Sequence, residues 1–487
     1  MNRFESPEVS EAGDPPDPQN RRHRRLTTAP GPKRRLLGAI VMPGRDPLAL
    51  FTRLARTYGD VVHFRLGGER VFFLNHPQHI RDVLVTNQRN FKKSRGLERA
   101  RKLLGEGLLT SEGETHLRHR RLLQPAFHRD RIAAYASVMV EHADRMQQRW
   151  SDGATLDISR EMMRVTLSIV GKTLFDSEVE SKADEVGMAV TQVMETFWFS
   201  LLPFSDLIDR LPVPVLRRGR QSRDRLDALI YAMIAERRAT GRDHGDLLSM
   251  LIAAQEQESD EPGATGRRSP VTRGLSDEQV RDEAMTLLLA GHETTANALT
   301  WTWYLLSQAP AVEQALHDEL DRVVGRRLPT MADIPRLPLT ERIVTESMRL
   351  YPPAWIVGRR AIGDYAIADY GVPARSMLFM SPYVMQRDAR FFPDPERFVP
   401  DRWTPAFKAA LPKFAYFPFG GGARQCIGEQ FAWMELMLLV AAIGSRWQLR
   451  LVPGHPVVPQ PLVTLRAKHG MKMIASRREP GGGPRDW

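Results

Sequence analysis

One cysteine stands in 487 residues, and that scarcity excludes more than any other feature of the composition. A lone thiol forms no intramolecular disulfide, no Cys-x-x-Cys metal site and no paired attachment for a covalently bound c-type haem. Long apolar runs are also missing. The strongest, Leu36 to Met42, is about a third of the roughly 20 residues a membrane-spanning helix needs. Residues 1–35 lack the apolar core of a secretory signal, so a cytoplasmic location is expected. No internal repeat, zinc-finger spacing or RNP-like aromatic motif is present, which leaves no specific role with nucleic acid.

What is there points to a large folded domain. Hydrophobic residues make up 42% of the chain, enough for a substantial core. The 69 Lys and Arg outnumber the 58 Asp and Glu, giving a formal charge of +11. Arg21-Arg22-His23-Arg24-Arg25 and Lys33-Arg34-Arg35 contribute locally, but most of the excess is dispersed, as on a solvated basic surface. Residues 1–33, broken by Pro15-Pro16, Pro18 and Pro30-Gly31-Pro32, read as a flexible leader. A helix over 47–58 precedes a hairpin, 61–66 and 70–74, turning at Gly67-Gly68. Helical periodicity then dominates near 131–150, 157–175, 184–201, 218–239 and 243–257. A polar loop with Pro262, Gly263, Gly266 and Pro270 separates two of these helices, and β-rich patches lie near 357–380 and 447–475. The expectation is a mainly α fold with small β-sheets (α+β), a single domain over 34–475 and a flexible tail over 476–487.

The cysteine sits in Phe419-Gly420-Gly421-Gly422-Ala423-Arg424-Gln425-Cys426-Ile427-Gly428, directly before a helical pattern from Glu429. A helix N-terminus and a nearby Arg424 favour thiolate over thiol. Glycines let a flat ligand approach the backbone. An isolated cysteine is commonly an inert core residue, but these neighbours are not generic. Phe419, Gly422, Arg424, Cys426 and Gly428 match the Phe-x-x-Gly-x-Arg-x-Cys-x-Gly signature, and the chain is identified as resembling the cytochrome P-450 superfamily of haem-thiolate monooxygenases. The resemblance implies b-type haem, with Cys426 as proximal iron ligand and Arg424 meeting a propionate.

A second block lies upstream. Ser276 and Gln279 form a capping-box pattern opening a long helix, which carries Ala290-Gly291-His292-Glu293-Thr294-Thr295. Thr294 can bond back to the carbonyl of Ala290. The block resembles the family's oxygen-activation motif, which gives Glu293 and Thr294 roles in proton delivery and argues against a peroxide-using relative. Glu346-Ser347-Met348-Arg349, before Tyr351-Pro352-Pro353, resembles the family's Glu-x-x-Arg element. Arg402 would complete it structurally, with Arg397 as the alternative. His116 and Arg120, at i and i+4, resemble the propionate-binding helix, with histidine where many members carry tryptophan. Arg359 matches an arginine opening a strand near the haem, while Arg360 reads as an ordinary charge. Gln386-Arg387-Asp388 stands where His-Arg-Asp is commoner.

The resemblance runs from about Pro30 to Met473 and implies insertion of one oxygen atom from dioxygen into a lipophilic substrate such as a fatty acid or terpenoid. A haem-thiolate sensor or gas-binding module is the alternative. It is disfavoured by Glu293-Thr294 and by the lack of an output domain. The chain after the cysteine helix is too short for a flavin or ferredoxin domain and has no Gly-x-Gly-x-x-Gly fingerprint. Electrons from NAD(P)H would therefore arrive through a separate ferredoxin or flavodoxin with its reductase, docking on a basic face near the cysteine loop. A monomer is expected. Family position puts Phe197, Trp198, Phe199, Ala290, Trp355, Ile356 and Val357, with 463–465, around an apolar substrate pocket.

Overall fold

The computed structural model describes residues 27–32, 46–176, 183–200, 213–241, 244, 246–260 and 275–478. Helix α1 (Pro47–Tyr58) and the hairpin β1 (Val61–Leu66) and β2 (Glu69–Leu74) lead to a short helix α2 (Pro77–Arg81) and strand β3 (Phe91–Lys93). Then come α3 (Arg95–Leu104), α4 (Gly113–Leu123), α5 (Arg129–Gln147), β4 (Ala154–Asp157) and α6 (Ile158–Phe175). Helices α7 (Ala183–Ser200), α8 (Pro214–Thr240), α9 (Leu247–Asp260), α10 (Asp277–Ser307), α11 (Pro310–Val323) and α12 (Pro338–Leu350) follow. Strands β5 (Val357–Ala361), β6 (Tyr365–Ile367), β7 (Tyr370–Val372) and β8 (Met377–Met380) precede two short helices, α13 (Pro382–Met385) and α14 (Pro405–Ala410). After the cysteine loop run α15 (Glu429–Gly444), β9 (Trp447–Leu451), β10 (Pro459–Pro461), β11 (Leu465–Ala467) and β12 (Lys472–Arg477).

The central element is α10, 31 residues long and buried on nearly all sides, as expected of a helix apolar around its circumference. Ser276 accepts from the Gln279 amide, and the Gln279 side chain accepts from the Ser276 amide, so the predicted capping box forms. One core gathers Leu299, Trp301 and Leu306 of α10 with α5, α12 and α15. A second gathers Leu287 and Leu288 of α10 with α6, α7 and α8. The same helix therefore anchors both halves of the helical mass. Gly291 sits at a close approach in this packing. A Cβ there would stand 3.0 Å from Val170 Cγ2 of α6.

The main sheet has the order β1-β2-β8-β5-β3. The predicted hairpin forms in register, Val61 opposite Leu74 and Leu66 opposite Glu69. On the far edge, β3 pairs antiparallel with β5 and sets Lys93 opposite Arg359. Ordered contacts begin earlier than the expected boundary at 34: Thr27 bridges to Tyr370, Ala29 is buried, and the His63 amide donates to the Pro30 carbonyl. The prolines break regular structure there without keeping the segment off the sheet. At the other end β12 runs through Arg477, and Arg478 pairs with Asp321, so the packed chain extends past 475. The loop with Pro262 to Pro270 lies outside the described residues.

The Glu-x-x-Arg element on α12 is fully closed. Glu346 receives Arg349 Nε at 2.8 Å, Arg402 Nε at 2.9 Å, Trp403 Nε1 at 2.8 Å and the Val399 amide at 2.9 Å. Arg349 spends its other donors on the carbonyls of Gln386, Pro395 and Arg397. Arg397 itself points out and pairs with Asp394, so Arg402 is the arginine that meets Glu346. Gln386, in the position where histidine is commoner, ties the carbonyls of Met348 and Arg349 to the Phe417 amide just before the cysteine loop.

Candidate haem site

The cysteine loop is a tight turn held from several sides. The Cys426 amide donates to the Phe419 carbonyl at 3.0 Å, and Gln88 accepts from the Ala423 amide. Gly422 has φ +71, and a Cβ on it would lie 2.0 Å from the Leu84 carbonyl oxygen. Only glycine serves there. Phe419 packs against Trp433 of α15. Arg120 donates to the Gln425 carbonyl at 2.7 Å, tying α4 to the loop one residue from the thiol. Gly428 stands at the N-cap of α15, where a Cβ would meet only Phe127 at ordinary contact distance.

The thiol departs from expectation in one respect. Burial pushes Cys426 up to about 11, only partly opposed by the Gly428 amide and by Arg120, while Glu429 adds to the rise. Arg424 does not assist, because it turns to the Phe91 carbonyl and to Glu112. The helix begins three residues further on, at Glu429, too far for its dipole to overcome desolvation. A bound metal cation inverts that balance, since a coordinating thiol loses its proton. Cys426 nevertheless keeps accessible surface.

Central helix α10 shows a matching opening. Between Val280 and Trp303, positions are buried except Ala290, which is exposed, and Gly291 and Thr294, which are half-buried. Ala290 and Thr294, one turn apart, share a face. Thr294 Oγ1 donates to the Ala290 carbonyl at 2.8 Å, as the sequence predicts, and Thr295 does the same to Gly291 at 3.2 Å. Glu293 is 1% exposed. Its Oε1 accepts from Arg466 Nε at 2.8 Å and from Thr464. The Arg466 guanidinium and these hydrogen bonds outweigh burial and hold the carboxyl below its usual range. His292, fully enclosed, is kept neutral by burial and bonds the Leu288 carbonyl.

Beside the loop lies a buried cluster of basic side chains. Lys93, His116 and Arg359 are 4%, 5% and 6% exposed. Lys93 Nζ donates to the carbonyls of Leu108 and Ser111, 3.5 Å from His116 Nδ1. Arg359 donates only to its neighbour's carbonyl, that of Gly358. Among the described residues, neither Lys93 nor Arg359 has a carboxylate within ion-pair distance. Of the two carboxylates acting on Lys93, Glu112 is taken by Arg424 and by the Lys93 amide, and Glu283 by the Leu108 amide and His119. Burial pushes Lys93 down to about 7 and Arg359 down to about 10, and Arg424 depresses both further. Burial, helped by Lys93, pushes His116 down to about 4. Like charges set opposite each other across two strands are unfavourable, so this cluster is built for an anion the polypeptide does not supply.

The sequence profile of the family described as "Cytochrome P450" matches residues 29–472. The chain is a cytochrome P-450. It is 40% identical over 449 residues to "Cyclooctatin synthase" of Streptomyces melanosporofaciens, covering 92% of this chain and 95% of that one. It is 38% identical to "Cyclooctat-9-en-7-ol 5-monooxygenase" of the same species, covering 88% and 90%. It is 35% identical to "Pentalenene oxygenase" of Streptomyces avermitilis, covering 90% and 94%. Among solved structures, the heme domain of "cytochrome P450DA" superposes with a TM-score of 0.81 at 26% identity, covering 93% of this chain and 99% of that one. The chain is accordingly a monooxygenase whose family cofactor is thiolate-ligated haem, reduced with electrons from NAD(P)H.

The residues present fit that group. A lone thiol keeps accessible surface, a helix face of small and hydroxyl residues is open on α10, and the buried donors Lys93, His116 and Arg359 match a ligand with two carboxylates. Sequence reasoning missed Lys93, Glu112 and Arg466, none of which lies in a local motif, and placed Thr464 only within a pocket-lining segment. Lys93 had one signal, since the alternation of β3 turns it inward with Phe91. Of the expected pocket residues, Ile356 and Val357 are half-buried. Trp355 is instead a core residue, donating to the Leu462 carbonyl and packed against Phe51. Arg360 pairs with Glu98, an ordinary structural charge. Phe197, Trp198 and Phe199 belong to α7, but their side chains lie outside the described residues. Among the described residues no helix is long and apolar enough to cross a membrane.

Proposed function

We propose that this cytochrome P-450 hydroxylates a terpenoid hydrocarbon or alcohol, with Cys426 as the axial thiolate and Glu293 and Thr294 as the proton-handling pair. The site assignment is carried by two observations taken together: the thiol of Cys426 keeps accessible surface, and the otherwise buried middle of α10 is open at Ala290 and Thr294. Support for the substrate class comes from the relatives named for cyclooctatin and pentalenene chemistry. The apolar character of Ile356, Val357 and Ala290 agrees with it.

When bound, haem supplies dioxygen activation, with the thiolate's electron donation favouring O–O cleavage. The chain's own residues do the rest. Arg359, Arg424, His116 and Arg120 hold the propionates, while Phe419, Gly422 and Gly428 shape the loop around the thiol. Thr294, its proton engaged with the Ala290 carbonyl, stands on the open face of α10, and Glu293 remains charged and ready to accept a proton. Electrons come from a separate ferredoxin or flavodoxin with its reductase. The protein acts as a monomer in the cytoplasm.

A spin-state titration tests the substrate assignment, with product analysis using surrogate redox partners. Cyclic sesquiterpenes and diterpenes are expected to shift the ferric Soret band and to yield a singly hydroxylated product. Equal or stronger response to linear fatty acids, with no terpenoid product, contradicts it.

A further inference from the structure

On the side of α10 that carries His292, about half a turn from Ala290 and Thr294, a cleft of about 580 Å³ opens between α6, α7, the start of α8 and β11. That volume is within the range of small-molecule sites. Arg160, Arg164, Arg218 and Arg466 line it, and among the described residues no carboxylate does. Arg160 and Arg164 have other partners, Glu161 at 3.4 Å for Arg164. Arg218 and Arg466 are less committed. Arg218 Nε meets the Pro214 carbonyl at 3.4 Å, and its guanidinium forms no ion pair with the described residues. Arg466 Nε donates to Glu293 Oε1 at 2.8 Å, while its two terminal nitrogens donate to none of the described residues.

The most buried residue of the lining is His292, 2% exposed. Its Nδ1 lies 2.8 Å from the Leu288 carbonyl and therefore carries the ring proton, which leaves the lone pair on Nε2. No described residue donates to that nitrogen. Arg466 stands close enough to act on the imidazole. The cleft thus offers two free guanidinium nitrogens beside one free acceptor, and Met163, Met188 and Val215 supply apolar wall.

We infer that this cleft is a second ligand site, separate from the pocket over the cysteine loop, and that it takes an amphipathic hydroxycarboxylate. The carboxylate accepts from the terminal nitrogens of Arg466, a planar anion on a planar fork, and Arg218 adds charge from the exposed side. Clefts lined by one sign of charge concentrate ions of the other. A hydroxyl near the carboxylate donates to His292 Nε2, and the apolar body lies along Met163, Met188 and Val215. A neutral terpenoid lacks the charge these arginines call for, so this site and the substrate pocket select different molecules. Glu293 draws on the same guanidinium and competes with the bound anion for it.

The test uses haem-loaded protein with phenylimidazole on the iron, which closes the pocket over the haem, and follows binding of 3-hydroxydecanoate by calorimetry. One equivalent is expected to bind with no change in the Soret band. Decanoate should bind about 3- to 10-fold more weakly, the worth of one hydrogen bond, and 1-decanol should not bind. Arg466→Gln should weaken binding of 3-hydroxydecanoate about 10- to 100-fold, as for hydrogen bonds to a charged group. Glu293→Gln should tighten it about 3- to 10-fold by removing the competing charge. Two variants leave Arg466 in place. Gly187→Trp fills the cleft from a position where a Cβ meets only Leu167, at 3.9 Å, and should abolish binding. Arg218→Glu reverses the charge of an exposed side chain and should weaken it. Both should keep the wild-type reduced carbonyl spectrum. Displacement of 3-hydroxydecanoate by phenylimidazole overturns the second site. Equal binding of 1-decanol overturns the anion class, equal binding of decanoate the role of His292, and full affinity in Gly187→Trp the location.

Discussion

Two buried charge clusters flank the cysteine loop, and they are opposite in kind. Around Glu346, one carboxylate meets two guanidinia and an indole, and the remaining donors of Arg349 end on backbone carbonyls. Around Arg359, the buried basic side chains of Lys93, His116 and Arg359 lie with Arg424 near two carboxylates, Glu112 and Glu283, both already engaged elsewhere. The first cluster is complete within the polypeptide and holds the segment leading to the loop. The second is left with positive charge in a low-dielectric setting, where an unpaired charge is costly. Burial alone therefore does not identify a binding site. The mismatch of charges does.

The largest effect should come from breaking the closed cluster. Glu346→Ala leaves Arg349 buried without its partner and should cost about 3–5 kcal/mol of stability, read as a lowered denaturant midpoint and a large apo fraction. Arg359→Met should act in opposite directions on the two forms of the protein. It should weaken haem retention, while haem-depleted protein gains about 1–3 kcal/mol by losing an uncompensated buried charge. Destabilisation of both forms by Arg359→Met erases the distinction between the clusters. A smaller effect concerns pH. Because His116 is pushed down to about 4 in the folded protein, the unfolded chain binds the extra proton first as pH falls below about 6.5. Its contribution to haem-free stability is thus complete above that value and is lost between about 6.5 and 4. His116→Gln should flatten that stretch of the stability curve relative to wild type.

The contrast also marks what was legible in the sequence. Glu346 and Arg349 share a helix turn and Thr294 caps back one turn to Ala290, so spacing alone announced them, as it did the capping box at Ser276 and the hairpin at Gly67-Gly68. Arg466 lies 173 residues from Glu293, in a strand with no motif around it. Glu112 owes its role to the way α4 starts beside β3. Lys93 faces Arg359 only because two short strands pair at the sheet edge. Such juxtapositions are set by tertiary packing, which leaves no local period to read. Cys426 shows the reverse: its loop motif was plain, while the burial that pushes its thiol up, and the turn of Arg424 to Glu112, were not readable from the motif.

The reduced carbonyl spectrum of wild-type, Cys426→Ser and Cys426→His proteins tests the central claim most directly. The account predicts the strongly red-shifted Soret band of thiolate ligation in the wild type and its loss in both variants. A Cys426→His protein that keeps the band would contradict it.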